Sequence, residues 1–110
     1  MLEQYVKKIL TSRVYDVAVE TPLQPARQLS ERTGNQILLK REDLQTVRSY
    51  KIRGAYNVMA QLSDTELAKG VVAASAGNHA QGVAYACRSM KVHGRIYVPT
   101  TTPKQKRDRI

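Results

Sequence analysis

The chain of 110 residues is long enough for one modest domain and too short for two. Its net charge of +9 comes from scattered basic residues and one dense cluster at 104–109, and no aromatic residue accompanies that cluster, so a nucleic-acid-binding module is disfavoured. The chain has no apolar run long enough to span a membrane and no apolar leader, which disfavours membrane insertion and secretion. Cys87 has no disulfide partner and is expected to be buried. Together these features predict a cytoplasmic protein.

The first half of the chain predicts short elements separated by proline and glycine. In chain order these are a helix over 2–12, a loosely alternating run over 14–19, a short helix over 26–33 and a strand over 36–40. Pro22 and Pro25 predict irregular structure between the alternating run and the second helix. Gly34 is expected to end that helix, and the polar residues 41–48 predict a loop.

The second half alternates between helical and strand patterns. In chain order it predicts a helix over 49–62, a short helix from Ser63 to Gly70, a strand over 71–74, a helix over 78–90, a strand over 95–99 and a helix beginning near Pro103. Ser63 and Glu66 have the spacing of a capping box. The alternation from residue 36 onward predicts an α/β fold, an open parallel sheet with flanking helices and right-handed crossovers.

A lysine begins one of the predicted helices, in the run SYKIRGA at 49–55. The positive end of the helix dipole and the nearby Arg53 favour a neutral amine at Lys51 over the ammonium form. A neutral amine can attack an aldehyde and form a Schiff base, which makes Lys51 a candidate catalytic residue. Alone it means little, because most helix lysines are solvated surface groups.

A second run, ASAGNHAQG at 74–82, follows a predicted strand and begins a helix. Small residues let the backbone approach a ligand closely, and N–H groups at a helix start can bind an anion such as a carboxylate. In an open α/β sheet, ligands collect beyond the carboxyl ends of the strands. Taken alone, however, the run fits better as a plain tight turn in which Asn78 caps the helix.

In combination, the two runs resemble the fold-type II enzymes that use pyridoxal 5'-phosphate, most closely the threonine/serine dehydratase group. Further matching runs are ETPL at 20–23, LKREDLQ at 39–45 and PTTTP at 99–103, so the resemblance covers nearly the whole chain from about residue 14. Cysteine synthases and threonine synthases share the lysine but usually lack Arg-Gly-Ala after it. Serine racemases share much of both runs and stay an alternative. The resemblance implies the N-terminal part of the tryptophan synthase β-like fold.

The resemblance implies a role for each matching residue. Lys51 would hold pyridoxal 5'-phosphate as a Schiff base and remove the α-proton of the substrate, and Asn78 would hydrogen-bond the hydroxyl of the cofactor ring. Tyr50 stands where Phe is common, and its hydroxyl needs a polar partner if buried. No metal ligand set is visible. The loop expected to hold the substrate carboxylate consists of Ser75, Ala76, Gly77, Asn78 and His79.

The reaction implied by the resemblance is deamination of L-threonine, with L-serine as an alternative substrate. The parent protein is expected to be a homo-oligomer, and the composition predicts that it is cytoplasmic and binds neither nucleic acid nor membrane. Threonine would give 2-oxobutanoate and ammonia, in isoleucine biosynthesis or in threonine catabolism. The family binds the cofactor phosphate with a glycine-rich loop, whereas no two of the six glycines here are adjacent.

We therefore expect residues 1–110 to be an incomplete N-terminal portion of a catalytic domain that is inactive alone. A non-catalytic remnant is the alternative of another class. The unfinished sheet predicts exposed apolar surface and marginal stability.

Overall fold

Six α-helices and four short strands alternate along the chain in the computed structural model, which describes all residues from 1 to 110. The helices are α1 (Leu2–Leu10), α2 (Arg27–Thr33), α3 (Lys51–Met59), α4 (Asp64–Ala68), α5 (Asn78–Met90) and α6 (Lys104–Arg107). The strands are β1 (Leu23–Pro25), β2 (Leu38–Lys40), β3 (Val71–Ala74) and β4 (Gly94–Tyr97). Two one-turn 3-10 helices lie at Val14–Asp16 and Glu42–Leu44.

The parallel sheet consists of β3 and β4, with Val71 opposite Gly94 and Ala74 opposite Tyr97. Helix α5 connects the two strands, as expected of a βαβ unit. The predicted class, an α/β fold with a parallel sheet and flanking helices, is confirmed, although the sheet has only two strands.

Two predictions in the first half are wrong. The sequence pattern places the strand near 36–40 in the parallel sheet and predicts irregular structure around Pro25. Instead β1 and β2 form a separate antiparallel pair, with Leu23 opposite Lys40 and Pro25 opposite Leu38. Pro25 is tolerated because it ends a three-residue strand in a two-stranded ribbon, where a missing N–H breaks no central ladder.

The main core lies between α3 and α5. Its buried side chains recur every three or four residues along each helix, and they are Ala55, Tyr56, Met59, Val83, Ala86 and Cys87. A smaller cluster of Ala18, Val47 and Ile52 packs beside the start of α3. Cys87 is buried, as predicted.

Much apolar surface lies outside these two clusters, as the sequence predicts. No residue of α1 is buried, and Ile9 on that helix is 71% exposed. On the parallel sheet, Val72 is 70% exposed and Tyr97 is 56% exposed. Marginal stability remains a prediction. None of the helices combines the length and the apolar character required to cross a membrane.

The helix ends follow local rules that the sequence shows. Gly34 ends α2 in the left-handed conformation with φ of 64°, which a residue without Cβ adopts at no steric cost. Both bonds of the predicted capping box form at α4. The Glu66 amide donates to Ser63 Oγ at 3.4 Å, and the Ser63 amide donates to Glu66 Oε2 at 2.8 Å.

Replacing Ser63 by Ala is expected to lower the free energy of unfolding by about 1 kcal/mol, because the first turn of α4 loses its side-chain acceptor. Urea denaturation followed by circular dichroism measures the change. Ser89→Ala is the matched control, since Ser89 is exposed on α5 and makes no side-chain hydrogen bond. Equal stability of the two variants would contradict the prediction.

Candidate active site

Lys51 is the first residue of α3, and the backbone around it is fixed on several sides. Its amide donates to Ser49 Oγ at 3.4 Å, and its carbonyl lies against Gly82 of α5. The next residue, Ile52, is fully buried, and Arg53 after it pairs with Glu42. The first turn of α3 is therefore in contact with three different parts of the fold.

The Lys51 side chain, by contrast, is only partly buried, and its Nζ makes no hydrogen bond and no ion pair. Nζ lies over the ring of Tyr50, 5.0 Å from the ring centroid. Tyr50 itself is 59% exposed, so its hydroxyl is reached by solvent and needs no buried partner. The amine predicted to be reactive is therefore without a competing polar partner on this chain.

The loop between β3 and α5 is built as a tight turn. The Ser75 amide donates to the Tyr97 carbonyl at 3.0 Å, and Ser75 Oγ accepts from the Gly77 amide at 3.1 Å. Gly77 is the N-cap of α5, so Asn78 is its first helical residue, and the alternative in which Asn78 caps the helix is wrong.

The first turn of α5 offers unpaired donors. No side chain caps the helix, and the amides of Asn78, His79 and Ala80 have no hydrogen-bond partner in the chain. Asn78 and His79 are exposed, whereas Ala80 is buried. Unpaired amides at the positive end of a helix form an anion site, so this turn is suited to a carboxylate.

The two runs meet where Gly82 packs against the start of α3. A Cβ at Gly82 would lie 3.0 Å from the carbonyl oxygen of Lys51 and 3.3 Å from the amide nitrogen of Ile52. Asn78 lies one helical turn before Gly82 and therefore on the same face of α5. The face of α5 that carries Asn78 thus contacts the backbone of Lys51.

A partly buried polar network lies beside α3, around the carboxylate of Glu42. Arg53 Nε and Nη2 donate to its two oxygens at 2.8 and 2.9 Å, and Thr21 Oγ1 donates to Oε1 at 2.6 Å. The Gln45 amide donates to the same carboxylate at 3.3 and 3.4 Å and also to the Val19 carbonyl at 2.8 Å. The bonds from Arg53 hold the pKa of Glu42 at about 2, well below its ordinary value of 4.5.

The sequence offered no role for Glu42 or Gln45, which fall in a segment predicted to be a polar loop. Gln45 is only 1% exposed, and its side chain exchanges hydrogen bonds with the amide and the carbonyl of Val19, 26 residues earlier. A glutamine in a charged run has the composition of a solvated surface. Only the match of LKREDLQ to the family could have singled out this segment.

The larger clefts of the chain do not include Lys51 or Asn78. One of about 690 Å³ lies between residues 46–48, α5 and residues 108–109, and another of about 740 Å³ lies between α2 and the pair of strands β1 and β2. No group of three or more His, Cys, Asp or Glu side chains is arranged to hold a metal ion.

Comparison with known proteins identifies the family of this chain. A family model described as pyridoxal-phosphate dependent enzyme matches residues 14–110. The chain belongs to this family. The predicted resemblance is therefore confirmed at the level of the family and its fold.

Relatives within the pyridoxal-phosphate dependent family are similar at high identity. The biosynthetic L-threonine dehydratase IlvA of Mycobacterium bovis is 69% identical over 98 residues, which are 89% of this chain and 23% of that protein. The same enzyme of Bacillus subtilis is 57% identical, over 92% of this chain and 24% of that protein. The chain thus spans about a quarter of the length of these relatives.

Solved structures show the same similarity. The processed form of threonine deaminase isoform 2 from Solanum lycopersicum superposes with a TM-score of 0.92 at 56% identity, covering 98% of this chain and 30% of that chain. Serine racemase from Dictyostelium discoideum superposes with a TM-score of 0.87 at 34% identity, covering 94% of this chain and 35% of that chain.

The residues of this chain fit one part of pyridoxal phosphate. Lys51 offers an amine without a competing partner, and the start of α5 offers the Asn78 side chain and unpaired amides on a face that contacts Lys51. These groups suit the aldehyde and the ring hydroxyl of the cofactor and the carboxylate of an amino-acid substrate. No pair of adjacent glycines is present to form the phosphate loop of the family.

Proposed function

We propose that residues 1–110 form the amino-terminal part of the catalytic domain of a pyridoxal-phosphate-dependent L-threonine dehydratase. The observation that carries the proposal is the packing of Gly82 against the backbone of Lys51, which places the candidate lysine beside the helix face bearing Asn78. The relatives named as biosynthetic threonine dehydratases, at 57–69% identity, support threonine as the substrate. The domain assignment, a cytoplasmic location, an oligomeric parent and a role in isoleucine biosynthesis belong to the same proposal.

In this proposal, each residue has a distinct task. Bound pyridoxal phosphate supplies an electron sink for negative charge at the substrate α-carbon. Lys51 Nζ would hold the cofactor covalently and then accept the α-proton from the substrate. The Asn78 amide would hydrogen-bond the ring hydroxyl. The Ser75–His79 loop would bind the substrate carboxylate through the unpaired amides of Asn78 and His79.

These roles account for the overall reaction, in which L-threonine is converted to 2-oxobutanoate and ammonia. Removal of the α-proton and loss of the β-hydroxyl of L-threonine as water leave an enamine, which hydrolyses to 2-oxobutanoate and ammonia. L-Serine would give pyruvate by the same steps. Serine racemase is the second candidate, supported by the structural similarity at 34% identity.

Cofactor capture by the chain itself tests the role of Lys51. The purified chain is incubated with pyridoxal phosphate, reduced with borohydride and mapped by peptide mass spectrometry. We expect the label on Lys51 and its loss in Lys51→Ala. Lys69→Ala is the control, because Lys69 is an exposed lysine at the end of α4. A label distributed evenly over the lysines, or kept in Lys51→Ala, would refute the assignment.

Turnover is tested in a chimera in which residues 1–110 replace the equivalent segment of the Bacillus subtilis relative. We expect release of 2-oxobutanoate from L-threonine, abolished by Lys51→Ala and retained in Lys69→Ala. Pyruvate from L-serine alone would indicate a serine dehydratase, and formation of D-serine would indicate a racemase. An inactive chimera that is folded and loaded with cofactor would support the non-catalytic alternative.

A further inference from the structure

We infer that Arg53 and Glu42 are positioning residues that fix the Lys51 amine, an inference that rests on the proposed function of Lys51. The two side chains form a two-bonded ion pair with distances of 2.8 and 2.9 Å, and they are only 25% and 15% exposed. Arg53 is two residues from Lys51 in the first turn of α3, so whatever holds Arg53 also holds the backbone of Lys51.

Arg53 extends from α3 on a different side from Lys51, as a positioning role requires. Side chains two residues apart on a helix do not face each other. Arg53 therefore holds the helical turn from a side different from the one that Lys51 presents. Glu42 fixes the backbone while the Lys51 Nζ stays free of hydrogen bonds and ion pairs.

Both partners are themselves held from several directions. Arg53 Nη2 also donates to the Val19 carbonyl at 3.2 Å, and its guanidinium lies 5.3 Å from the ring centroid of Tyr15. Glu42 accepts further bonds from the buried Thr21 and Gln45. A carboxylate that accepts this many hydrogen bonds has one favoured position. Because Arg53 is bound to that carboxylate, the start of α3 is held in place with it.

The neighbouring ion pair of Arg41 and Asp43 makes no hydrogen bond to α3 and provides a comparison for the pair of Arg53 and Glu42. Arg41 and Asp43 flank Glu42 in the sequence and also form a two-bonded pair, at 2.8 and 2.7 Å. Asp43 is 59% exposed, and the pair contacts no residue of α3 through hydrogen bonds. Glu42→Gln and Asp43→Asn therefore remove the same charge one residue apart, with only the first acting on α3.

The test measures the accessibility of Lys51 without any cofactor. The intact chain is treated with formaldehyde and cyanoborohydride over a range of pH, and the labelling rate of each lysine is followed by peptide mass spectrometry. Because Lys51 is partly buried and Lys69 is exposed, we expect the Lys51 rate relative to Lys69 to rise severalfold in Glu42→Gln, where the first turn of α3 opens more often and exposes Nζ more fully. Asp43→Asn should leave the ratio unchanged.

Arg53→Lys provides a second variant that keeps the positive charge but cannot form the two-bonded pair. The same selective rise at Lys51 is expected. An unchanged ratio in both variants, or an equal rise at all lysines, overturns the inference, because the pair would then have no role or only a general structural one.

The outcome of this test does not depend on whether the proposed function is correct. The rate of labelling by formaldehyde reports the accessibility of the Lys51 amine and does not require a cofactor site. A folded chimera that binds the cofactor but does not turn over threonine would count against the function, while the labelling comparison would still decide the role of Glu42.

Discussion

Replacing Gly82 by Ala is expected to destabilise the chain by about 1–2 kcal/mol and to impair cofactor capture by Lys51. The added methyl group would lie 3.0–3.3 Å from backbone atoms of Lys51 and Ile52, which cannot turn away as a flexible side chain could. Helix α5 must shift away from α3, and the contact between the two predicted runs is lost. Urea denaturation gives the stability, and reductive labelling with pyridoxal phosphate gives the capture.

Gly54→Ala is the matched control for this prediction. Gly54 also lies inside a helix, but it is exposed, and a Cβ there meets no atom within 4 Å. Both substitutions gain the same helix propensity, so Gly54→Ala should stabilise the chain by about 0.5–1 kcal/mol. The difference between the two variants isolates the steric cost at Gly82. Equal stabilisation by both would show that α5 accommodates the methyl group freely.

The second large effect is expected at Glu42. Its pKa of about 2 in the folded chain lies below the ordinary value of 4.5. The stabilisation is therefore complete above about pH 4.5 and is lost as the pH falls through about 2. Glu42→Gln should cost about 2 kcal/mol at neutral pH, a value reduced from the full shift because the pair is partly reached by solvent.

The pH dependence distinguishes this ion pair from a general packing defect. Unfolding by urea is measured at intervals between pH 2 and pH 7 for the wild type and for Glu42→Gln. The stability difference should be constant above about pH 4.5 and should shrink toward pH 2, where the wild-type carboxylate takes up its proton. A difference that stays the same at all pH values would show that charge at Glu42 does not matter.

Elements defined by neighbouring residues could be predicted from the sequence. The capping box at Ser63, the glycine end of α2 and the helix over 78–90 depend on spacing within a few residues, and all three are found. The short apolar run at 71–74 predicts β3 with the correct bounds, but the expectation that this strand is buried is wrong, because one face of the two-stranded sheet is uncovered and Val72 on it is 70% exposed.

Features that depend on distant residues could not be predicted in this way. The pairing of β1 with β2 joins segments on either side of α2, and two prolines near β1 masked it. The Glu42 network joins residues up to 34 positions apart through side chains typical of a solvated loop. The approach of Gly82 to Lys51 is a matter of helix packing, and only the resemblance to a family brought the two runs together beforehand.

The separate antiparallel pair affects how the chain opens. Neither strand of the pair nor α2 between them contains a buried residue, so unfolding this segment exposes little new apolar surface. Local unfolding there costs less free energy than opening the interface of α3 with α5. We therefore expect the segment 23–40 to open locally at a lower free-energy cost than the packed helices α3 and α5, at whose interface the backbone of the candidate residue Lys51 lies.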